Sequence, residues 1–260
     1  MSNDDQPMSE TVRSFERGLR VIRAFGVAGP RLTLAGVARA AELNRATARR
    51  LLLTLEELGY VQRVEDRFAL TPRVLELGYA YLSSFGVPEL ALPYLETLSA
   101  ELNEASSVGV LDGTEVVYVA RVPANRVMTV SIGLGSKFPA YRTSLGRALL
   151  MSWTNKDIAG LWEASDRSSP TPNTVDSAEA LQQHLDTART SGFALVDQEL
   201  EIGVRSIAAP LHDITGQTVA AINVSTHTSR TSKSELRKRF VPALLRTAAE
   251  IDHALANRPA

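Results

Sequence analysis

Polar side chains suited to nucleic acid are concentrated in one short stretch of the sequence, residues 44–50. An arginine side chain can bind guanine through two hydrogen bonds or neutralise a phosphate, and a small neighbouring side chain permits close approach. Thr33, at the start of an earlier predicted helix, joins this group. The candidate DNA-contacting residues are Thr33, Asn44, Arg45, Ala46, Thr47, Arg49 and Arg50. These residue types predict contacts with base edges and phosphates.

A second polar group, around residue 144, could bind a small carboxylate. Thr143 and Ser144 bring hydroxyl groups to the start of a predicted helix, where backbone N–H groups are free to bind an anion. Arg142 adds positive charge, and Gly146 would let the backbone approach a ligand closely. The alternative is ordinary helix capping by Thr143 or Ser144. The residues alone leave both interpretations open.

Other side chains could complete a pocket for such an acid. Met128 and Ile132 would share one face of a predicted strand over 127–134 and could form an apolar wall, although the alternation does not decide which face is inner. Arg121 and Arg126 lie in a predicted loop, and either could pair with a dicarboxylate. The favoured interpretation for both is a solvated surface position, because charged residues are mostly exposed.

The elements that would position the first group form a small helical module. Apolar residues at spacings of three and four predict a helix over 12–25, a second helix after Thr33 and a third from Asn44 to Leu58. A short helix, a tight break and a second helix are typical of the helix-turn-helix, whose second helix enters the DNA major groove. Strands at 60–61 and 68–70 would add a wing. Glu42 stands at the turn position often held by glycine, where left-handed geometry costs about 1 kcal/mol.

The charge distribution agrees with a DNA-binding module. Nine arginines and two acids between Arg13 and Arg50 give this stretch +7, so the remainder carries −8 of the total charge of −1. A basic segment followed by an acidic body suggests two modules with different partners. The alternative is an ordinary small helical domain with a solvated arginine face.

The remaining chain is predicted to hold a linker helix and a second module. The linker helix begins at Pro72 and ends near Ser83, and another helix runs from Pro88 to Asn103. A hairpin then turns at Asp112-Gly113, a dipeptide favoured in tight turns. Further strands are expected over 127–134, 193–197, 205–211 and 218–225, and further helices over 144–153, 177–190 and 234–255. Consecutive hairpins predict a mostly antiparallel sheet covered by helices.

Several classes of function are disfavoured. The chain has no cysteine, which excludes disulfides, thiolate nucleophiles and zinc sites that use sulfur. We expect no membrane span, no secretory signal in the polar start, no metal and no cofactor, and therefore a cytoplasmic protein. The common nucleotide-binding, hydrolase and metalloprotease motifs are absent. An enzyme of the α/β class without a recognisable motif is the alternative function.

The sequence resembles the IclR (isocitrate lyase regulator) family of bacterial transcription factors from about Ser14 to Leu255. The DNA-binding half matches in SFERGLRVIRAF, LNRATARRLLLTLEELGYV and FALTPRVLELGYAYL, and the ligand half in GSKFPAYRTSLGRALL and GVRSIAAPLHDITGQTVAAINVS. The stretches RFALTPRVLELGYAYLSS and ARVPANRVMTVSIGLGSKFPAYRTSLGR are most similar to the branch that regulates catabolism of aromatic acids through protocatechuate, para-hydroxybenzoate or β-ketoadipate.

The resemblance implies an α+β chain with four parts. These are a flexible N-terminus over 1–12, a winged helix-turn-helix over 13–71, a linker helix over 72–86 and a GAF-like effector domain over 87–260 with a mostly antiparallel sheet and flanking helices. It also implies homodimers, often paired into homotetramers, that bind double-stranded operator DNA and respond to a small organic acid. A member that activates transcription would also contact RNA polymerase.

The resemblance further carries polar effector-pocket positions onto Asp197, Ser206, Asn223 and Ser225. Many members have cysteine at the position of Ser206 and serine at that of Asn223. Both departures keep a polar group but change its size and its donor geometry, so the ligand could differ from that of the best-known members. The family pattern also favours a ligand at residues 142–146.

Overall fold

The structure, a computed structural model, describes residues 11–78, 86–124, 132–168 and 171–257. The chain divides between residues 84 and 85 into two compact units. None of the helices in these described ranges is both long and apolar enough to cross a membrane.

The N-terminal unit begins with three helices, α1 (Arg13–Ala28), α2 (Leu34–Ala40) and α3 (Arg45–Glu57). The two predicted caps are confirmed: the Thr33 hydroxyl accepts from the Gly36 N–H at 3.1 Å, and Asn44 Oδ1 accepts from the Thr47 N–H at 2.8 Å. Glu42 has φ 55°, so the turn between α2 and α3 keeps left-handed geometry despite the missing glycine. The helix-turn-helix geometry therefore forms at a modest conformational cost.

A two-stranded wing follows α3. Strands β1 (Val61–Val64) and β2 (Arg67–Leu70) pair antiparallel, and Glu65 at their turn has φ 59°. Leu32 bridges to Phe68 through two backbone hydrogen bonds, which attaches the wing to the start of α2. The predicted wing is confirmed, with strands slightly longer than expected.

The apolar core of the N-terminal unit is narrower than the sequence pattern suggested. Val21, Phe25 and Leu52 are buried in it, together with Val37 and Phe68. Other members of the expected apolar stripes are exposed by 42–69%: Val12, Phe15 and Leu19 on the α1 side and Leu58 just after α3. The predicted inward position of Leu58 is wrong, because the chain turns outward there to enter the wing.

The start of the predicted linker helix is present. Pro72–Val74 form a 3₁₀ turn and residues 75–78 continue as an α-helix. The rest of that prediction, up to Ser83, lies outside the described residues.

The C-terminal unit is built on a six-stranded sheet in the order β5-β4-β3-β8-β7-β6, and every neighbouring pair is antiparallel. The strands are β3 (Ala105–Asp112), β4 (Glu115–Val122), β5 (Lys137–Pro139), β6 (Ala194–Asp197), β7 (Val204–His212) and β8 (Thr218–His227). The predicted antiparallel sheet and its hairpins are confirmed. The predicted strand over 127–134 lies mostly outside the described residues, and its end, 132–134, is not a strand.

Five labelled helices accompany the sheet: α4 (Val87–Leu102), α5 (Ser144–Leu150), α6 (Asn155–Ala164), α7 (Ala178–Ser191) and α8 (Val241–Ala256). The expectation for 144–153 was too long. The sequence reasoning missed α6, although a capping box between Thr154 and Asp157 marks its start. The predicted last helix is interrupted by a five-residue π-helical stretch just before Val241 and Pro242, in accord with the lack of an N–H group on proline.

Helix α5 is buried along its whole length, and this burial fixes the residues at its start. One side packs on the sheet through Leu145 and Leu149, and another meets the cluster of α6 and α7 through Leu150. At Gly146 the α5 backbone packs directly against the backbone of Ala140. A Cβ atom at this position would lie 2.1 Å from the Ala140 carbonyl oxygen.

Candidate nucleic-acid interface and ligand cavity

The face of α3 opposite its buried residues presents a row of charged and polar side chains. Arg45, Ala46, Arg49 and Arg50 are exposed, whereas Thr47 is half-buried. Among the described residues, no carboxylate forms an ion pair with Arg45, Arg49 or Arg50. Three guanidinium groups on one helix therefore remain available for phosphates or base edges.

The two capping residues have a structural task in addition to any contact with DNA. Thr33 and Asn44 each use a side-chain oxygen to satisfy a free N–H group at a helix start. The Asn44 side chain is exposed, and its amide nitrogen, which can donate, is not needed for the cap. Six of the predicted DNA-contacting residues therefore lie at the start or along the first turns of α3, and Thr33 lies at the start of α2. Their contacts with DNA remain a prediction.

The C-terminal unit contains a cavity of about 250 Å³ between the sheet and the start of α5. Its wall is mostly apolar, but it includes two arginines, one glutamate and several hydroxyl groups. The lining residues are Tyr118, Arg121, Ile132, Phe138, Arg142, Thr143, Ser144, Val196, Leu200, Glu201, Val204, Ser206 and Ser225. A small, mostly apolar cavity with a few polar groups is the usual form of a site for a small organic ligand.

The residues around 144 divide into a cap and a free polar group. Thr143 accepts from the Gly146 N–H at 3.1 Å, so this residue caps α5. Ser144 is 1% exposed and its hydroxyl has no hydrogen-bond partner within the described structure. Arg142 donates from Nη1 to the Ser168 carbonyl at 2.8 Å, but its buried Nε is also unpartnered. An unmet buried polar group is costly, so these two atoms favour a polar ligand.

Gly146 does permit a close backbone contact, but the contact is with Ala140 and not with the cavity. Its missing Cβ makes room for the Ala140 backbone, and Gly146 is not among the lining residues. Its predicted role beside a ligand is therefore replaced by a role in seating α5 under the cavity.

Tyr118 and Arg121 on β4 form a second polar part of the wall. Burial raises the pKa of the Tyr118 phenol to about 12, against the smaller lowering effect of the nearby Arg121 charge. Burial also lowers the pKa of Arg121. The Phe138 ring stands edge-on to Tyr118 with centroids 5.7 Å apart. The cavity therefore combines aromatic surface with a half-buried cation that has no ion-pair partner among the described residues.

Of the pocket positions that the family resemblance implied, some line the cavity and others do not. Ser206 and Ser225 face each other on β7 and β8 and line the cavity. Asn223 lies outside the lining but donates to the Ser225 hydroxyl at 3.3 Å, and its buried Oδ1 has no partner in the ranges described. Ile132 lines the cavity, whereas Met128 lies outside the described residues.

Asp197 is directed to an ion-pair network and is not part of the cavity wall. Its carboxylate accepts from Arg205 Nε at 2.8 Å and from Lys233 Nζ at 2.8 Å. Burial raises the pKa of Asp197, but the hydrogen bonds from these two cations outweigh it and leave the pKa lowered. The expected contact between Asp197 and a ligand is therefore not supported by its placement.

Sequence reasoning missed several wall residues, among them Tyr118, Phe138, Leu200 and Glu201. Alternation along β4 places Tyr118 on the same face as Val116, which was a usable signal. Leu200 and Glu201 come from the loop between β6 and β7, which carries no periodic pattern. Arg121 was left undecided between solvent and ligand, and it lies in the cavity wall.

Together, a winged helix-turn-helix and a separate unit with a mostly apolar cavity that carries a few polar groups define a class of protein: transcriptional regulators with a DNA-binding domain and an effector-binding domain. The comparisons with known proteins agree with this class. The helix-turn-helix domain of IclR regulators matches residues 14–65, and the C-terminal domain of bacterial transcriptional regulator IclR matches residues 79–253.

Two curated relatives cover nearly the whole chain. The Pca regulon regulatory protein of Pseudomonas putida is 40% identical, over 93% of this chain and 84% of its own. The p-hydroxybenzoate hydroxylase transcriptional activator of Acinetobacter baylyi is 34% identical, over 96% of this chain and 94% of its own.

Solved structures share the fold. A protein from Rhodococcus sp. RHA1 is 48% identical, with a TM-score of 0.84 over 94% of this chain and 98% of its own. An IclR homologue from Microbacterium hydrocarbonoxydans, complexed with 4-hydroxybenzoate, is 22% identical, with a TM-score of 0.82 over 93% of this chain and 98% of its own. The chain belongs to the IclR family of bacterial transcriptional regulators, and it is a regulator and not an enzyme.

Proposed function

We propose that this chain binds double-stranded operator DNA as a homodimer or homotetramer, and that a small organic acid in the cavity changes operator binding or activation of transcription. The single observation that carries the effector proposal is a pair of buried atoms, Arg142 Nε and Ser144 Oγ, that have no hydrogen-bond partner among the described residues and belong to residues lining a mostly apolar cavity. We infer that the protein acts on operator DNA in the bacterial cytoplasm.

The recognition surface is assigned to α3. Arg45, Arg49 and Arg50 are exposed without acidic partners among the described residues, and Ala46 leaves room beside them. An arginine that contacts a base contributes about 1–3 kcal/mol of discrimination, whereas one that contacts a phosphate contributes mainly to salt-dependent affinity. Thr33, Asn44 and Thr47 complete the proposed contact edge.

The proposed effector is an aromatic carboxylic acid of the 4-hydroxybenzoate type. Its carboxylate would bind at Arg142 and Ser144, and the apolar wall around Phe138 would hold the ring. Two names support this class: one relative is a p-hydroxybenzoate hydroxylase activator, and one homologue was crystallised with 4-hydroxybenzoate. Ser206 and Ser225 offer hydroxyl groups to a further polar substituent.

Arg121 favours a second candidate, an open-chain dicarboxylate such as a β-ketoadipate-pathway intermediate. This half-buried cation lines the same cavity as Arg142 and has no ion-pair partner among the described residues. Two guanidinium groups could each take one carboxylate, and charge-assisted hydrogen bonds of this kind are roughly twice as strong as neutral ones.

The self-association part of the proposal is supported by an uncovered apolar face. Val12, Phe15 and Leu19 are exposed by 65%, 69% and 42% at the start of the chain's first helix. Monomeric proteins rarely expose large contiguous patches of apolar side chains, and such patches often mark contacts with another protein. A Phe15→Ser variant should lower the mass measured by light scattering if this face forms a subunit contact.

Calorimetric titration tests the effector class directly. We expect 4-hydroxybenzoate to bind the wild-type protein, and Arg142→Ala to weaken that binding by roughly 10- to 100-fold, the loss of a hydrogen bond to a charged group. Arg246→Ala, an exposed arginine on α8, is the matched control and should bind normally. Adipate is titrated in parallel, and preferential loss of adipate binding in Arg121→Ala would select the dicarboxylate. If neither acid bound, both candidate effectors would be rejected.

A separate experiment tests the DNA proposal. Duplexes are selected from a random-sequence pool by the wild-type protein, and their affinity is measured as salt is varied. The affinity for the selected duplex should fall steeply as the salt concentration rises. Phosphate contacts release counterions from the DNA, and added salt makes that release less favourable. A protein that selected no duplex would contradict operator binding whatever the cavity holds.

A further inference from the structure

The C-terminal end of α3 is bonded to residues 71–73, which join the wing to the linker. After Glu57, the Tyr60 N–H donates to the Leu55 carbonyl at 2.8 Å and the Gly59 N–H donates to the Glu56 carbonyl at 3.0 Å. This is a Schellman ending, which satisfies two of the last helical carbonyls. The next carbonyls along the chain need donors from elsewhere.

Residues 71–73 supply those donors to three consecutive carbonyls. Arg73 Nη1 donates to the Leu58 carbonyl at 2.9 Å, and the Thr71 hydroxyl donates to the Gly59 carbonyl at 2.5 Å. The Thr71 N–H donates to the Tyr60 carbonyl at 2.9 Å. The residues that bond to the end of α3 therefore adjoin it in space, although the wing separates them in sequence.

The surroundings of Arg73 hold its guanidinium in place. The group lies 5.5 Å from the centroid of the Tyr60 ring, and its Nε is 3.4 Å from a carboxylate oxygen of Glu76. A Cβ atom at Gly59, where φ is 79°, would lie 3.2 Å from Arg73 Nη1. Glycine at position 59 therefore has two roles: it adopts the left-handed conformation that ends the helix, and it leaves room for the Arg73 guanidinium.

We propose that Arg73 and Thr71 are positioning residues for DNA recognition, because they fix the recognition helix α3 to the start of the linker. This proposal rests on the proposed function of α3 as the helix that reads operator DNA. Displacement of residues 71–73 must either move the end of α3 or break these three bonds. The linker thereby has a direct mechanical connection to the DNA-reading helix without touching the bases itself.

Operator binding by the full-length chain tests this role. The probe is a duplex selected by the wild-type protein from a random pool, and the variants are Arg73→Ala and Thr71→Val. We expect each variant to weaken binding about threefold to tenfold, with an unchanged slope of log affinity against log salt. Arg246→Ala, which removes an exposed arginine of the C-terminal unit and the same charge as Arg73→Ala, is the control and should bind like the wild type.

Two outcomes would overturn the proposal. A salt slope reduced by about one in Arg73→Ala would mean that this arginine contacts a phosphate itself. Unchanged affinity in folded Arg73→Ala and Thr71→Val would mean that the bonds only stabilise the unit. Thr71→Val changes no charge, so it remains informative if Arg73→Ala folds poorly. Failure of the wild type to select DNA would contradict the proposed function instead.

Discussion

In the N-terminal unit, Arg45, Arg49 and Arg50 stand exposed without acidic partners in the described ranges, whereas in the C-terminal unit Arg147 is only 1% exposed and bonds to Glu199. The Glu199 carboxylate accepts from both terminal nitrogens of Arg147, at 2.8 and 2.5 Å. The same residue type thus serves two physical tasks. Exposed arginine provides long-range attraction to phosphate, and buried arginine fixes the distance between two elements.

The buried pair joins two parts of the chain that line the cavity of the C-terminal unit. Arg147 lies on α5, one turn after Ser144, and Glu199 lies in the loop that carries Leu200 and Glu201. The loop is held further by the Thr174 hydroxyl, which donates to the Glu199 carbonyl at 2.6 Å. An exposed pair could not impose this spacing, since its side chains exchange freely with water.

The largest expected effect comes from breaking that pair. Glu199→Gln would leave the Arg147 charge buried and should lower the free energy of unfolding of the C-terminal unit by about 3–5 kcal/mol. Urea unfolding followed by tryptophan fluorescence measures it, because both tryptophans of the chain lie in this unit.

The exposed Arg246–Glu101 pair is the matched control. It has the same N–O distance of 2.5 Å, but its side chains are 53% and 41% exposed. Glu101→Gln should cost about 0.5 kcal/mol or less. Equal losses in the two variants would contradict the idea that burial separates the two kinds of arginine.

A second test compares dense packing with an open surface. Gly146→Ala would force a Cβ atom against the Ala140 backbone and should destabilise the C-terminal unit by about 1–3 kcal/mol or more. Gly160→Ala, on the exposed side of α6 with no atom within 4 Å, should instead stabilise by up to about 1 kcal/mol. The same unfolding assay measures both, and a stabilising Gly146→Ala would show that α5 is not tightly seated.

The third test removes exposed arginines, which should weaken DNA binding without changing the thermal stability of the protein. Arg45→Ala and Arg50→Ala should each weaken binding of a selected duplex by about 1–3 kcal/mol if they contact bases, and should lower the salt slope by about one if they contact phosphates. Thermal unfolding should be unchanged, because neither side chain has an ion-pair partner among the described residues to lose. Normal binding by both variants would place the recognition surface elsewhere.

The same division explains what could be predicted from the sequence. The helix-turn-helix was predictable because its signals are local: Thr33 and Asn44 precede apolar repeats, and Glu42 marks the turn between them. Charge is likewise visible in the sequence, so the exposed arginine face was found from residue spacing alone.

The cavity was predicted only in part, because its wall is assembled from distant elements. The segment 142–144 was found from its local helix-start chemistry, but the capping role of Thr143 and the free hydroxyl of Ser144 depend on packing. Pairing of Arg147 with Glu199 spans 52 positions, and no sequence period indicates it. The ion pair of Asp197 with Lys233 was not predictable for the same reason, since Lys233 lies beyond two further strands, and a contact of Asp197 with a ligand stays a prediction.

The last comparison concerns ionisation of a buried neutral group. Burial raises the pKa of Tyr118 to about 12, above the value of about 10 expected in an unfolded chain. The folded state therefore favours the neutral phenol, and this contribution to stability is complete below about pH 10 and is lost as the pH rises towards 12. Urea midpoints of the C-terminal unit should fall over that range, and the fall should be smaller in Tyr118→Phe. An identical fall in the variant would show that the cavity wall tolerates a phenolate, which would weaken the contrast between the exposed charges of α3 and a buried charge such as that of Arg147, which is paired with Glu199.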